Sequence, residues 1–164
     1  MEDKALLSTE VASGAEKAEL LIVIPAYNEA ENIERVVNHL TANFPQYDYV
    51  VVNDGSRDET AAICQRNGYN LLNLPVNLGL AGAFQAGLKY ADKYGYQYAV
   101  QLDGDGQHRP EYLESMIKKM EEGYDIVIGS RFVGEKKPFT MRMLGSNLIE
   151  MAIRFTTGVN IKDP

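Results

Sequence analysis

Short apolar runs and segments of helical periodicity take turns along the chain, and this alternation constrains the fold more than any other feature of the sequence. Leu20 to Ile24 is a continuous apolar run, after which Glu29 to Asn43 places Ile33, Val36, Val37 and Leu40 at helical spacing. Tyr49 to Val52 reads as a second strand, Asp58 to Asn67 as a second helix and Asn70 to Leu74 as a third strand. Leu78 to Tyr94 follows as a helix whose Leu80, Phe84, Leu88 and Ala91 share one face. Gln97 to Leu102 predicts a fourth strand, Pro110 to Glu122 a helix opened by proline near its first turn, and Asp125 to Ile128 a fifth strand. Strands interleaved with helices in this way predict an α/β fold, a mostly parallel sheet flanked by helices on both faces. Ligands of such sheets bind beyond the carboxyl ends of the strands, so the connecting loops are where chemistry is expected.

At 164 residues the chain suffices for one domain with a real core, and 45% hydrophobic against 24% charged residues is a globular composition. No run of 18 apolar residues occurs, and Met1 to Leu20 lacks the basic start and apolar centre of a secretory signal. Residues 1–19 read as a flexible leader. The single cysteine, Cys64, excludes an intrachain disulfide and fits a buried structural thiol in a reducing cytosol. The net charge of −7 argues against nucleic-acid binding. It is uneven, because residues 131–164 hold six basic against three acidic side chains.

Four loops carry the candidate chemistry. Pro25-Ala26-Tyr27-Asn28-Glu29 ends the first strand with a flat ring and with Asn and Glu that can cap the next helix. Asn53-Asp54-Gly55-Ser56-Arg57-Asp58 follows the second strand, with glycine for a tight turn, Asp58 as a helix cap, and Asp54 placed to accept hydrogen bonds, from a nucleobase for example. Asn77 to Gly82 opens a helix with small residues, which suits either close approach of an anion or tight helix–sheet packing. In Gln101 to Pro110, Asp103, Asp105 and Gln107 recur at a spacing of two, which in extended backbone puts them on one side. This is either a solvated acidic turn or a seat for a hard cation such as Mg²⁺ or Mn²⁺, whose open positions phosphate oxygens can fill. His108 reads as a surface hydrogen-bonder and His39 as structural.

Taken in order, IPAYNE (24–29), VVNDGSRDET (51–60), NLGLAGA (77–83), QLDGDGQHRPE (101–111) and IGSRF (128–132) resemble the family two inverting glycosyltransferases of the GT-A fold. The similarity is greatest to the polyprenyl-phosphate, dolichyl-phosphate mannose synthase-like branch. The resemblance implies a Rossmann-like nucleotide-sugar-binding core over 20–134, with Pro25, Tyr27, Glu29 and Asp54 lining the base and ribose of a UDP- or GDP-linked donor. It implies that Asp103, Asp105 and Gln107 hold the metal and diphosphate, that Arg131 meets a phosphate, and that Asp105 belongs to the catalytic centre. Where the family often has two acidic residues before Gly-Ser, this chain has Asn53 before Asp54.

The acceptor expected from the resemblance is a polyprenyl phosphate or a growing cell-surface glycan. A phosphate acceptor needs no general base, and Asp163 is the candidate should one be required. Residues 135–164 read as the start of an acceptor-side region cut from a longer protein. There Met141, Leu144, Leu148, Met151 and Phe155 form an apolar stripe flanked by Arg142 and Arg154. Residues 140–157 would therefore lie on the cytoplasmic face of a membrane, or else pack on the sheet or on a second subunit of a homo-oligomer. Two rival readings are a nucleotidyltransferase, whose Gly- and Arg-rich phosphate loop Pro25 to Glu29 lacks, and a non-catalytic nucleotide-sugar-binding module.

Overall fold

The computed structural model describes residues 19–103, 110–129, 151 and 154–156. By its contacts the chain divides into two compact units, 1–111 and 112–164. The first unit is built on four parallel strands, β1 (Leu20–Ala26), β2 (Asp48–Asp54), β3 (Leu71–Leu74) and β4 (Tyr98–Gln101), in the order β3-β2-β1-β4. The connections run through α1 (Ile33–Asn43), α2 (Thr60–Arg66) and α3 (Gly79–Tyr94). From β1 through β2 to β3 the chain steps one way across the sheet, and α3 then carries it back past β2 and β1 to β4. Crossovers between parallel strands are right-handed, so this reversal puts α1 and α2 on one face and α3 on the other.

Burial follows the same division. Leu21, Val23, Val50 and Val52 cluster with Ala83 and Ala91 of α3. The alternate positions Ile22, Ile24 and Val51 are equally buried, and Ile33, Val37, Leu40, Ile63 and Cys64 supply the apolar cover of that second face. Every residue of β1 is buried, as expected of a central strand covered on both sides. Pro25 does not stop the strand but stays within it, paired with Val52. Its missing N–H lies on the side of β4, whose ladder has already ended at Gln101 opposite Val23, so no ladder bond is lost.

Two expectations are corrected. The buried face of α3 is Ala83, Gly87 and Ala91, with Phe84 packed against the same core; of the expected face, Leu80 and Leu88 instead stand 59% and 41% exposed. The reason is distance: a Cβ on Gly87 would stand 2.2 Å from Val23 Cγ1, so only small residues fit between α3 and β1. The fifth strand at Asp125 to Ile128 does not form, and Ile126 and Ile128 are exposed. A short apolar run becomes a strand only when its N–H and C=O groups find a ladder partner.

A 3₁₀ turn at Pro110–Tyr112 ends the first unit and leads into α4 (Leu113–Glu121) of the second. Of the predicted apolar stripe only Met151 and Phe155 are described, together with the flanking Arg154; all three are helical, and Met151 and Phe155 are exposed. All of the 1–19 leader except Glu19, and most of 135–164, lie outside the described residues. The carbonyl of Glu19 accepts hydrogen bonds from the N–H groups of Gln97 and Tyr98. His39 is exposed on α1, where its ring contacts the Asn43 side chain and lies edge-on to Phe44. Among the described residues no helix is long and apolar enough to cross a membrane.

Candidate functional site

The reversal of strand order opens a crevice at the carboxyl end of β1, between β2 and β4. A cavity of about 250 Å³ lies there. Pro25, Ala26, Tyr27 and Glu29 line it from the end of β1, Asp54 from β2, Leu80 and Ala83 from the first two turns of α3, and Asp103 from the end of β4. Five sequence-predicted site residues, Pro25, Tyr27, Glu29, Asp54 and Asp103, thus share one cavity. Asp105, Gln107, His108, Arg131 and Asp163 lie outside the described residues. Leu80 and Ala83 were not singled out as site residues, although the small-residue stretch around them marks a place where backbone can approach a ligand.

Each wall is held by identifiable bonds. Asp54 is 3% exposed, and its Oδ1 accepts a hydrogen bond from the N–H of Leu78 at 2.7 Å, which ties the end of β2 to the entry of α3. Gly55 makes that approach possible: its φ is +63°, and a Cβ there would stand 2.7 Å from the backbone of Val76 and Asn77. Asn53, the departure from the family pattern, is buried, donates from Nδ2 to Asn73 Oδ1 and accepts from the N–H of Ser56 at 3.3 Å. Its side chain is engaged within the fold and does not line the cavity. Asp103 Oδ1 accepts from Gln101 Nε2 at 2.9 Å.

The loops after β1 and β2 are also bonded to each other. The N–H of Asn28 donates to Ser56 Oγ at 3.0 Å, and Asn28 Oδ1 accepts from the N–H of Arg57 at 2.9 Å. The N–H of Glu29 donates to Thr60 Oγ1 at 2.9 Å, and that of Ala30 to Asp58 Oδ2 at 3.1 Å. Asn28 and Glu29 therefore do not cap α1, which begins at Ile33 behind Asn32; Glu29 Oε2 instead accepts from Asn32 Nδ2. Asp58 does receive the N–H of Thr60, the first residue of α2, as a cap would. What burial Asp58 has works to raise its pKa, but the hydrogen bonds from Thr60 and Ala30 outweigh it and hold the carboxyl below its ordinary value.

The cavity offers three carboxylates and a phenol, and none of the described residues that line it is basic. Such a wall accepts hydrogen bonds from the N–H and O–H groups of a neutral polar ligand, whereas a polyanion would need added positive charge. Among the described residues no three carboxylate, histidine or cysteine groups converge on a metal position. The volume falls below the roughly 300–1,000 Å³ of sites that enclose a whole drug-sized ligand, so it suits a nucleoside-sized part of one.

Comparison with known proteins agrees with this geometry. The model of Glycosyl transferase family 2 matches residues 21–163. A polyprenol monophosphomannose synthase of Mycolicibacterium smegmatis is 34% identical over 152 residues, covering 87% of this chain and 57% of that protein. An undecaprenyl-phosphate mannosyltransferase of Micrococcus luteus is 32% identical over 152 residues, covering 88% and 62%. The chain therefore spans about three-fifths of the length of these relatives. Among solved structures, S. aureus TarS 1-349 superposes with a TM-score of 0.50 at 27% identity, over 63% of this chain and 32% of that one. The mannosyltransferase PcManGT of Pyrobaculum calidifontis, solved with GDP-Man and Mn²⁺, does so with a TM-score of 0.51 at 21% identity, over the same shares, and this likeness bears on the fold alone. Sheet, crevice and matched residues lead to one assignment: the chain belongs to glycosyl transferase family 2.

Proposed function

We propose that this protein is a metal-dependent inverting glycosyltransferase that takes a sugar from a UDP- or GDP-linked donor and passes it to a polyprenyl phosphate or a growing cell-surface glycan. The observation that carries the reading is the meeting of Glu29, Asp54 and Asp103, from three different strand ends, around one nucleoside-sized cavity at the switch point of the sheet. Carboxylates there would accept from base N–H and ribose hydroxyl groups, and Tyr27 would offer its ring face to the base. Family membership leaves no support for the nucleotidyltransferase alternative.

The described lining of the cavity supplies no positive charge for a diphosphate, and the acidic stretch that begins at Asp103 supplies the hard oxygen donors that suit Mg²⁺ or Mn²⁺. Asp103, Asp105 and Gln107 would hold the ion, which when bound would supply positive charge to the leaving diphosphate. Arg131 would meet a donor or acceptor phosphate, and Asp163 would serve as base only for an acceptor that must lose a proton. The names of the two relatives support a polyprenyl-phosphate acceptor. Exposed Met151 and Phe155 beside Arg154 support contact of 140–157 with the cytoplasmic face of a membrane.

Titration calorimetry with UDP and GDP tests the donor site. Binding is expected only with Mn²⁺ or Mg²⁺, and Asp105→Ala is expected to abolish it. Metal-independent binding in that variant would sink the metal assignment.

A further inference from the structure

We infer that Asn28 is a positioning residue of the donor site, which locks the loop after β1 onto the loop after β2 and so holds Tyr27 and Glu29 in register with Asp54. The inference rests on the donor-site reading above and adds to it a residue that does not line the cavity.

Among the described residues Asn28 is the one non-glycine residue with positive φ, +57°. Asparagine is among the few side chains that tolerate this left-handed conformation. In that conformation Asn28 bonds to the second loop in both directions, donating its N–H to Ser56 Oγ and accepting the N–H of Arg57 on Oδ1. Its neighbours on either side, Tyr27 and Glu29, line the cavity, whereas Asn28 is exposed.

The second loop is a fixed reference. Thr60, which receives the N–H of Glu29, is fully buried, and Asp54 at the loop's start is held by the N–H of Leu78. A loop already held in its binding shape spares the ligand the entropy of ordering it. Removing the Asn28 side chain would delete no cavity-lining group, so any effect on the donor must pass through the loop.

The test compares Asn28→Asp, which keeps the acceptor oxygen and the tolerance of positive φ, with Asn28→Gly, which keeps the turn but loses the oxygen, and Asn28→Ala, which loses both. Three quantities are read on the full protein: affinity for UDP and GDP with Mn²⁺, kcat and KM for the donor, and amide hydrogen exchange across 27–30 without ligand. Loss of one hydrogen bond predicts that Asn28→Gly weakens nucleotide binding about three- to tenfold, with Asn28→Ala weaker still. The donor KM should rise by the same factor while kcat holds, because the loop is needed equally in ground and transition states. Exchange at Glu29 and Ala30 should quicken, and Asn28→Asp should restore all three.

If Asn28→Gly keeps wild-type affinity while exchange quickens, Asn28 serves only the turn and the inference is overturned. A fall in kcat with KM unchanged overturns it as well. Should Asn28→Ala fail to fold, Asn28→Gly decides. If the wild-type protein binds neither nucleotide, the donor-site reading falls and the positioning role falls with it, an outcome distinct from a wild-type protein that binds and a variant that binds equally well.

Discussion

The two faces of the sheet are packed to different depths. Beneath α1 and α2, branched side chains of the strands, Ile22, Ile24 and Val51, lie opposite large helix residues such as Ile33, Val37 and Leu40. Against the other face α3 contributes Ala83, Gly87 and Ala91, and Gly87 lies so near Val23 that no Cβ would fit. The first face supplies bulk and with it much of the apolar burial. The second supplies closeness, and closeness is what brings Leu80 and Ala83, in the first two turns of α3, into the wall of the cavity. One side of the sheet thus serves mainly to hold the fold, and the other also shapes the site.

The comparison is most exposed to Leu40→Ala, which empties a large side chain from the bulky face. Equilibrium denaturation should show a loss of about 2–5 kcal/mol, with nucleotide affinity of the folded fraction unchanged. A loss of affinity as large as the loss of stability would erase the division of labour.

Gly87→Ala tests the close face. Overpacking against Val23 should cost about 1–3 kcal/mol, and, unlike Leu40→Ala, it should also weaken nucleotide binding by lifting the start of α3. A stable variant with intact binding would mean that the narrow gap is not needed.

The smallest effect concerns Cys64, which is fully buried on the α1 and α2 face. Burial pushes its thiol up to about 11. The group therefore favours the folded state below the ordinary thiol pKa of about 8.5, and this contribution is lost as pH rises toward 11. Folded protein at pH 8 should resist thiol alkylation until denaturant is added, and Cys64→Ala should lessen the decline in stability at alkaline pH. Rapid labelling of the native protein would show that this face is not closed.

The sequence made the bulky face legible because large apolar residues at helical spacing announce themselves, and Ile33, Val36, Val37 and Leu40 are all buried. It misled on α3 for the same reason: Leu80 and Leu88 carry the hydrophobic signal, but helix–sheet distance selects by size, and alanine and glycine won. That Pro25, Tyr27, Glu29, Asp54 and Asp103 gather around one cavity was legible because the loops of a parallel sheet collect at the carboxyl ends of its strands. The roles of Asn28 and Thr60 were not, since each is defined by a partner 29 or 31 residues away in another loop. Asp125 to Ile128 has the apolar character of a strand, but sequence pattern cannot supply a ladder partner.

The pair Asn53 and Asn73 bears on how β3 finds its place. β3 has only four residues, three of them leucine, so apolar character alone would permit it to slide along β2. Asn53 lies opposite Asn73 in the observed pairing, and their amides bond across the two strands. A shift of one residue would turn every side chain of β3 to the other face and set a leucine against the buried amide, leaving it unpaired at about 1–3 kcal/mol. The pair therefore works as an alignment key, rejecting misaligned strands as the sheet assembles. Because Val76 to Leu78 follow directly from β3, the same key decides where the chain returns to meet Asp54.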